Sequence, residues 1–401
     1  MFIKYKSNGK GTSVPVAKIY SQKEHPIKNS MIDKDALWAI RKLQTSGAEA
    51  YVVGGAIRDL LLGNKPKDVD IATSASPRQV QKLFWNSRII GKRFRIVHLF
   101  FNDKIIEVTT FRSDEENFEE GNNNIFGTIE QDAKRRDFSI NSLYYNPANG
   151  QLLDFNDAYA DFRKKVIRSL IPLSYSFSED PVRMIRALKY HATTGFRLKW
   201  NTKRAIKKNA PNIVHCSTSR LTEEVSKILA SGYSAEIFGY LSEYRILSYL
   251  LPAFSVYYRY PVVNASLKEL DRLVRDAQDG NAVKPSRSEM LYYLIRPVLL
   301  IDCEEDLSAE EVMKDAFRQA KVLISPITPA NYELEKAVQL VLMDYGITSS
   351  RPKKNVKGRA VQQRKRSRAS KDKVKARKSR IVEPSISDVP IPSSAAEEHD
   401  M

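Results

Sequence analysis

Tyr51-Val52-Val53-Gly54-Gly55-Ala56-Ile57-Arg58-Asp59, followed about one short helix later by Lys67-Asp68-Val69-Asp70, is the stretch whose reading decides the fold. Tyr51 to Val53 predicts a strand that runs into a glycine turn. Ile57 to Leu62 predicts a helix ended by Gly63. A second strand is expected around Val69 to Ala72. Strand side chains alternate between faces, so Asp68 and Asp70 are expected to point the same way. Two like charges side by side are costly until a cation neutralises them. The pair therefore reads as a Mg²⁺ site for phosphoryl transfer, beside a glycine turn whose backbone can approach a polyphosphate. Alone, a Gly-Gly turn or an Asp-x-Asp pair is ordinary, and a solvated acidic strand end is the plain alternative; their order along the chain is what makes them specific.

Working outward, residues 1–30 are polar and read as an irregular N-terminal extension. A helix is predicted from Asp33 to about Ser46, with Ala36, Ile40 and Leu43 on one face. Extended runs follow at Arg88–Ile90, Ile96–Phe101 and Ile105–Phe111, the last two joined by a turn at Asn102-Asp103. Ser113 to Asn124 is acidic and Asn-rich and reads as a mobile loop. From Asp180 the signal is helical. Pro181 opens an amphipathic helix through Val182, Ile185 and Leu188, and Arg220–Leu229, Ala235–Leu247 and Ala265–Ala277 continue in that style. The expected architecture is α+β: a mixed-sheet head over residues 31–175, a helical neck over 176–255, a helical body over 256–348 and a disordered basic tail over 349–401.

The formal net charge is +18. Arg351 to Arg380 holds fifteen Lys/Arg against Asp372, a net of +14, and the residues after Arg380 carry −5, which leaves +9 on residues 1–350. Such a balance points to a polyanionic partner, most simply nucleic acid. No run approaches the ~18 consecutive apolar residues of a membrane span. Met1-Phe2-Ile3-Lys4-Tyr5-Lys6 lacks the apolar centre of a signal peptide, so a cytoplasmic setting is expected. Cys216 and Cys303 have no Cys/His neighbours at ligand spacing and are expected as reduced thiols.

Gly54-Gly55-Ala56-Ile57-Arg58-Asp59 with Lys67-Asp68-Val69-Asp70 resembles the signature of the class II tRNA nucleotidyltransferase and bacterial poly(A) polymerase family, whose head is polymerase-β-like. Three further segments carry the resemblance. Asp132-Ala133-Lys134-Arg135-Arg136-Asp137-Phe138-Ser139-Ile140-Asn141 resembles the family's Arg-Arg-Asp-Phe motif. Glu179-Asp180-Pro181-Val182-Arg183-Met184-Ile185-Arg186 resembles its Glu-Asp-x-x-Arg motif, and Ile105 to Arg112 matches the strand with a third acidic position, Glu107. The likeness spans roughly residues 15–255.

The resemblance implies a template-independent nucleotidyltransferase using ATP and Mg²⁺. Asp68 and Asp70 would hold the metal, with Glu107 completing or orienting the site. Gly54, Gly55 and Arg58 would cradle the triphosphate; for Arg58 the plain alternative is a salt bridge with Asp59. Arg136 and Asp137 would contact the nucleotide, Asp137 as part of the active site; an ion pair pinning a helix start is the alternative. Asp180 and Arg183 would read the base edge, against a plain N-cap before Pro181. His98 reads as a core or positioning residue. Within the family, the basic run Gly91-Lys92-Arg93-Phe94-Arg95 resembles poly(A) polymerases, and Lys92, Arg93 and Arg95 are candidate RNA contacts. The expectation is AMP addition to RNA 3′ ends of mRNA and other transcripts in a bacterial cytoplasm, with CCA addition to tRNA the alternative and an inactive RNA-binding protein a more distant one.

Overall fold

A computed structural model describes residues 1–7, 12–91, 96–102, 104–113, 126–301 and 308–347, and in it the turn at Gly54 lies at the middle of a nine-stranded mixed sheet. Its strands are β1 (Phe2–Ser7), β2 (Ser13–Tyr20), β3 (Ala50–Val53), β4 (Asp70–Thr73), β5 (Ser87–Ile90), β6 (Ile96–Phe101), β7 (Lys104–Thr110), β8 (Leu143–Asn146) and β9 (Gln151–Asp154). They run in the order β1-β2-β9-β8-β3-β4-β7-β6-β5. The apolar run of β3 is buried at all four positions, as a central strand covered on both faces must be. β3 pairs antiparallel with β4, setting Val53 opposite Asp70, and β4 pairs parallel with β7, setting Ile71 opposite Val108. These two registers fix where the acidic residues stand.

The head helices are α1 (Lys34–Thr45), α2 (Gly55–Leu61), α3 (Pro77–Leu83), α4 (Ile129–Lys134) and α5 (Ala158–Arg163). α1 matches its predicted span because the Asp33 carboxylate caps it, accepting from the backbone N–H of Asp35 at 2.9 Å and Ala36 at 3.2 Å. The irregular extension expected over residues 1–30 is instead partly strand. β2 pairs with β9, Ile19 opposite Leu153, and β1 adds the sheet edge. That pairing partner lies far along the chain, so local polarity did not reveal it.

Beyond the head come α6 (Leu173–Glu179), α7 (Val182–Thr194), α8 (Trp200–Asn209), α9 (Thr218–Leu229), α10 (Ser234–Glu243), α11 (Leu247–Leu250), α12 (Pro252–Tyr257), α13 (Pro261–Gln278), α14 (Arg287–Ile295), α15 (Ala309–Ile324) and α16 (Asn331–Asp344). The helix predicted over Ala235–Leu247 is two helices, broken where Arg245 takes φ +62°. A short parallel pair, β10 (Val166–Ile167) and β11 (Arg197–Leu198), interrupts the helical run. Neck and body share one apolar core, and Phe138 and Ile140 of the head are part of it. The segment after Asp137 is thereby anchored in the helical layers, and Asp137 stands where head meets neck. The expectations for Lys92, Arg93 and Arg95, for the loop after Ser113, for Cys303 and for the tail fall outside the described residues. Cys216 is a free, half-buried thiol.

Candidate active site

Gly54 takes φ +69° and ψ −131°, a backbone state open to glycine and strained for L-residues. A Cβ there would sit 3.5 Å from Arg136 Nη1 and 3.8 Å from Asp70 Oδ2. The turn thus carries bare backbone between a guanidinium and a carboxylate. Asp70 opens β4, half-buried; Asp68 is exposed and lies in the bend just before the strand. The strand expected to hold both carboxylates therefore holds one, and the two remain close enough to interact. Burial, then the charge of Glu107 and, more weakly, of Asp68, pushes the Asp70 carboxyl up to about 6, against the pull of Arg136 and Lys227.

Glu107 stands on β7 opposite His98 of β6, and its carboxylate lies 3.4 Å from His98 Nε2. His98 thus contacts Glu107 across the strand pair. Among the described residues no three His, Cys, Asp or Glu side chains come together as a metal-binding group. Glu107 exerts the strongest charge effect on Asp70, and its carboxylate also lies beside His98. Asp68 and Asp70 still suit Mg²⁺, which is commonly held by one or two carboxylates with water and phosphate oxygens completing the shell. The Asp70 carboxyl is raised by burial first and by neighbouring negative charge second, and a bound cation would offset both.

Two residues predicted to touch the nucleotide are held in place by protein contacts. Arg136 is locked beneath the turn: Nε donates to Tyr144 Oη at 3.0 Å, Nη1 to the Asn141 carbonyl at 3.3 Å and Nη2 to Asp132 Oδ2 at 3.1 Å. Burial works against its charge, but Tyr144 and Asp132 around it more than compensate, and its pKa is raised. It supplies fixed positive charge beside Gly54 and Asp70. Asp137 has both oxygens occupied. Oδ1 accepts from its neighbour Phe138 N–H at 2.8 Å and from Asn141 Nδ2 at 3.3 Å, and Oδ2 accepts from Arg186 Nε at 2.8 Å. Burial alone would raise this carboxyl; the Arg186 guanidinium and the hydrogen bonds hold it below the ordinary range. This favours the ion-pair alternative, with Asp137 as a pin between head and neck.

Arg58 also takes its plainer alternative. Its Nε and Nη2 donate to Asp59 Oδ1 at 2.9 and 2.8 Å, Nη1 donates to Asn141 Oδ1 at 3.0 Å, and the guanidinium lies 5.0 Å from the Tyr190 ring centre. It packs over Gly55, where a Cβ would meet Arg58 Nη2 at 3.4 Å. Asp180 caps the C-terminus of α6 and makes no side-chain N-cap for the next helix. Its Oδ2 accepts from Arg220 Nη2 at 2.8 Å, whereas its Oδ1 is buried with no hydrogen-bond partner among the described residues. Arg183 Nη1 donates to the Ser176 carbonyl at 3.0 Å and pairs with Glu179, with Nε 3.9 Å from Asp180 Oδ2. A buried acceptor without a donor is costly unless a ligand supplies one.

Residues 50–168 match the family described as "Poly A polymerase head domain", and residues 195–257 the family described as "Probable RNA and SrmB- binding site of polymerase A". Poly(A) polymerase I of Escherichia coli O157:H7 is 40% identical over 257 residues, covering 61% of this chain and 55% of that protein. The chain's head and part of its helical region thus match models of the class II tRNA nucleotidyltransferase and poly(A) polymerase family. A second family relative, the CCA-adding enzyme of Geobacillus thermodenitrificans strain NG80-2, is 38% identical over 220 residues, 54% of each chain. The chain spans about half the length of the curated relatives it matches. Among solved family structures, the Bacillus stearothermophilus CCA-adding enzyme in complex with CTP shares 26% identity at a TM-score of 0.53, covering 79% of this chain and 83% of that one. The polymerase-β-like head expected from the motifs is therefore present.

Sequence reasoning missed Arg186, Asn141, Arg220 and Glu224. Arg186 had a signal, since it stands one turn beyond Arg183 on the same helix. It ties Asp137 to Glu224 of α9, whose carboxylate also accepts from Lys189 Nζ at 2.7 Å. Asn141 links Arg58 to Asp137, a role that only the folded arrangement displays.

Proposed function

We propose that the chain is a poly(A) polymerase: it adds AMP from ATP to RNA 3′ ends without a template and releases pyrophosphate. The observation that carries the reading is Asp70, a half-buried carboxyl pushed up to about 6 beside a glycine turn that also borders the Arg136 guanidinium. Bound Mg²⁺ at Asp68 and Asp70 would neutralise phosphate charge and lower the pKa of an attacking 3′-hydroxyl. The protein's own groups do the positioning. The Gly54-Gly55 turn lets the triphosphate approach the backbone, and Arg136, fixed by Asp132 and Tyr144, supplies positive charge that cannot swing away. The unpartnered Asp180 Oδ1 is suited to accept from the exocyclic amine of the incoming base, with Arg183 beside it to donate to a ring acceptor. Asp137 acts here as a positioning residue through Arg186 and Asn141.

The greater identity to the poly(A) polymerases and the basic tail favour AMP addition to many RNA ends. CCA addition is the second reading, favoured by the likeness to the CCA-adding enzymes. The test offers a generic RNA and a tRNA lacking its last three nucleotides, with each nucleoside triphosphate separately. Long A-only extension of the generic RNA is expected. Stopping after C, C and A on the tRNA alone would replace the proposal with the second reading, and no Mg²⁺-dependent incorporation of any nucleotide would overturn both.

A further inference from the structure

We propose that β1 is a docking edge for another protein, which adds to the sheet an extended strand alternating acidic and apolar side chains. β1 stands at one end of the nine-stranded order, so one of its edges pairs with β2 and the other has no strand beside it among the described residues. A free edge offers backbone N–H and C=O groups to any extended chain that reaches it. All six residues of β1 are exposed, Phe2 at 65% and Tyr5 at 56%. A strand this rich in apolar and aromatic residues, none of them buried, contributes little to the core of the head. Its outer half is barer still. Tyr5, Lys6 and Ser7 pair with Pro15, Val14 and Ser13, a part of β2 that β9 does not reach, because β2 and β9 pair over Lys18 to Tyr20. Two strands alone make a marginal ribbon in water, and a third supports them.

The side chains of β1 say which strand fits. The register shift at Lys4/Tyr5 places the extra residue, Val16, on β2, so alternation along β1 is kept. Phe2, Lys4 and Lys6 therefore share one face, and Ile3, Tyr5 and Ser7 the other. Residues 1–23 hold five Lys and no Asp or Glu, and Lys4 and Lys6 have no carboxylate partner among the described residues. An added strand would lay acidic residues beside Lys4 and Lys6 and apolar ones beside Ile3 and Tyr5, using both faces at once. RNA fits less well, because it would use the lysine face and leave the backbone edge and the Ile3/Tyr5 face to water. A second copy would bring another chain of net charge +18 to the same edge. Edge lysines commonly guard a sheet against self-pairing, and an acidic partner turns that guard into an attraction.

The test uses the full chain and a fluorescent peptide of about seven residues alternating Glu and Val, with a Lys/Val peptide as its counterpart. Fluorescence anisotropy should show the Glu/Val peptide binding, and more weakly as KCl rises. Lys4→Glu combined with Lys6→Glu should weaken that binding by about tenfold or more and create binding to the Lys/Val peptide, an exchange that a loss of folding does not produce. N-methylation of the peptide at one alternate set of residues should abolish binding, and at the other set should leave it intact, since one edge of a strand pairs. Absence of Glu/Val binding, or binding indifferent to the charge exchange, would overturn the proposal. A dimer of the wild type that the double variant loses would give the edge to a second copy instead. Displacement of the peptide by oligo(A), with oligo(A) affinity lost in the double variant, would give it to RNA.

Discussion

Asp70→Asn removes the charge of the site while nearly keeping its shape, and the structure sets both the sign and the size of the effect on stability. Asp70 titrates at about 6 in the fold against an ordinary 3.8. At about 1.36 kcal/mol per pH unit, that displacement corresponds to about 3 kcal/mol. Linkage gives the sign. The folded state binds this proton more tightly than the unfolded state, so between about pH 4 and 6 stability falls as pH rises, and above that the full penalty is present. In EDTA, the wild-type protein should therefore lose stability through this window while Asp70→Asn escapes that part of the loss. At pH 7.5 the variant should be more stable by up to about 3 kcal/mol, a thermal midpoint higher by several degrees, and the two should converge near pH 4. Other groups titrate in both proteins, so the difference between them isolates Asp70. Added Mg²⁺ should stabilise the wild type and not the variant, which should be inactive. Thermal unfolding at pH 4, 6 and 7.5, with EDTA or Mg²⁺, measures all of this. A variant equal to or less stable than wild type at pH 7.5 in EDTA would refute the reasoning.

Three other substitutions probe the rest of the site. Gly54→Ala should cost about 2 kcal/mol from its positive φ rather than from crowding, and should reduce turnover; urea unfolding and ATP incorporation read the two effects. Asp137→Asn strips Arg186 of its anion and should cost about 1–3 kcal/mol, yet keep Mg²⁺-induced stabilisation; loss of the Mg²⁺ effect would move Asp137 into the metal site. Asp180→Ala should relax the preference of ATP over CTP in single-nucleotide incorporation, while thermal stability changes little because one of its oxygens already lacks a donor; unchanged preference would remove Asp180 from base reading.

The parts of the site that were legible in the sequence are those whose chemistry is local. Gly54 is dictated by its own backbone angles, and Asp70 faces the turn because β3 and β4 are adjacent strands joined by one helix. Asp68 was misplaced by two residues of strand boundary, which shifts its environment without separating the pair. The protein contacts the sequence did not display depend on the folded arrangement. Asp137 looks like a chemical group until Arg186, 49 residues later, takes its carboxylate. Arg58 looks like a free fork until Asp59 and Asn141 occupy it. Asp180 before proline has the pattern of an N-cap, yet α6 ends on it and claims it as a C-cap. Only for Asp137 is the decisive partner a charge brought in by the fold; Arg58 is held by its neighbour Asp59 and the neutral Asn141, and Asp180 by the end of α6.

The reassigned residues form one electrostatic system. Asp137 holds Arg186; Arg186 reaches Glu224 at 3.9 Å; Glu224 holds Lys189 and lies 4.0 Å from Lys227; and the charge of Lys227 is felt by Asp70. Head and neck are therefore joined by alternating charges that run from the Arg-Arg-Asp segment to the candidate metal site. Such a chain gives little net stability, since desolvating each charge offsets most of its attraction. What it does give is geometry, because each member fixes the rotamer of the next. On the proposed reading, a transfer without a template would select its nucleotide with protein groups, which would then have to be held still relative to the metal. A network tying α7 and α9 of the neck to the sheet that carries Asp70 meets that requirement, and it accounts for why the Asp137 and Arg186 segments belong to one site although neither touches the Asp68/Asp70 pair through a hydrogen bond.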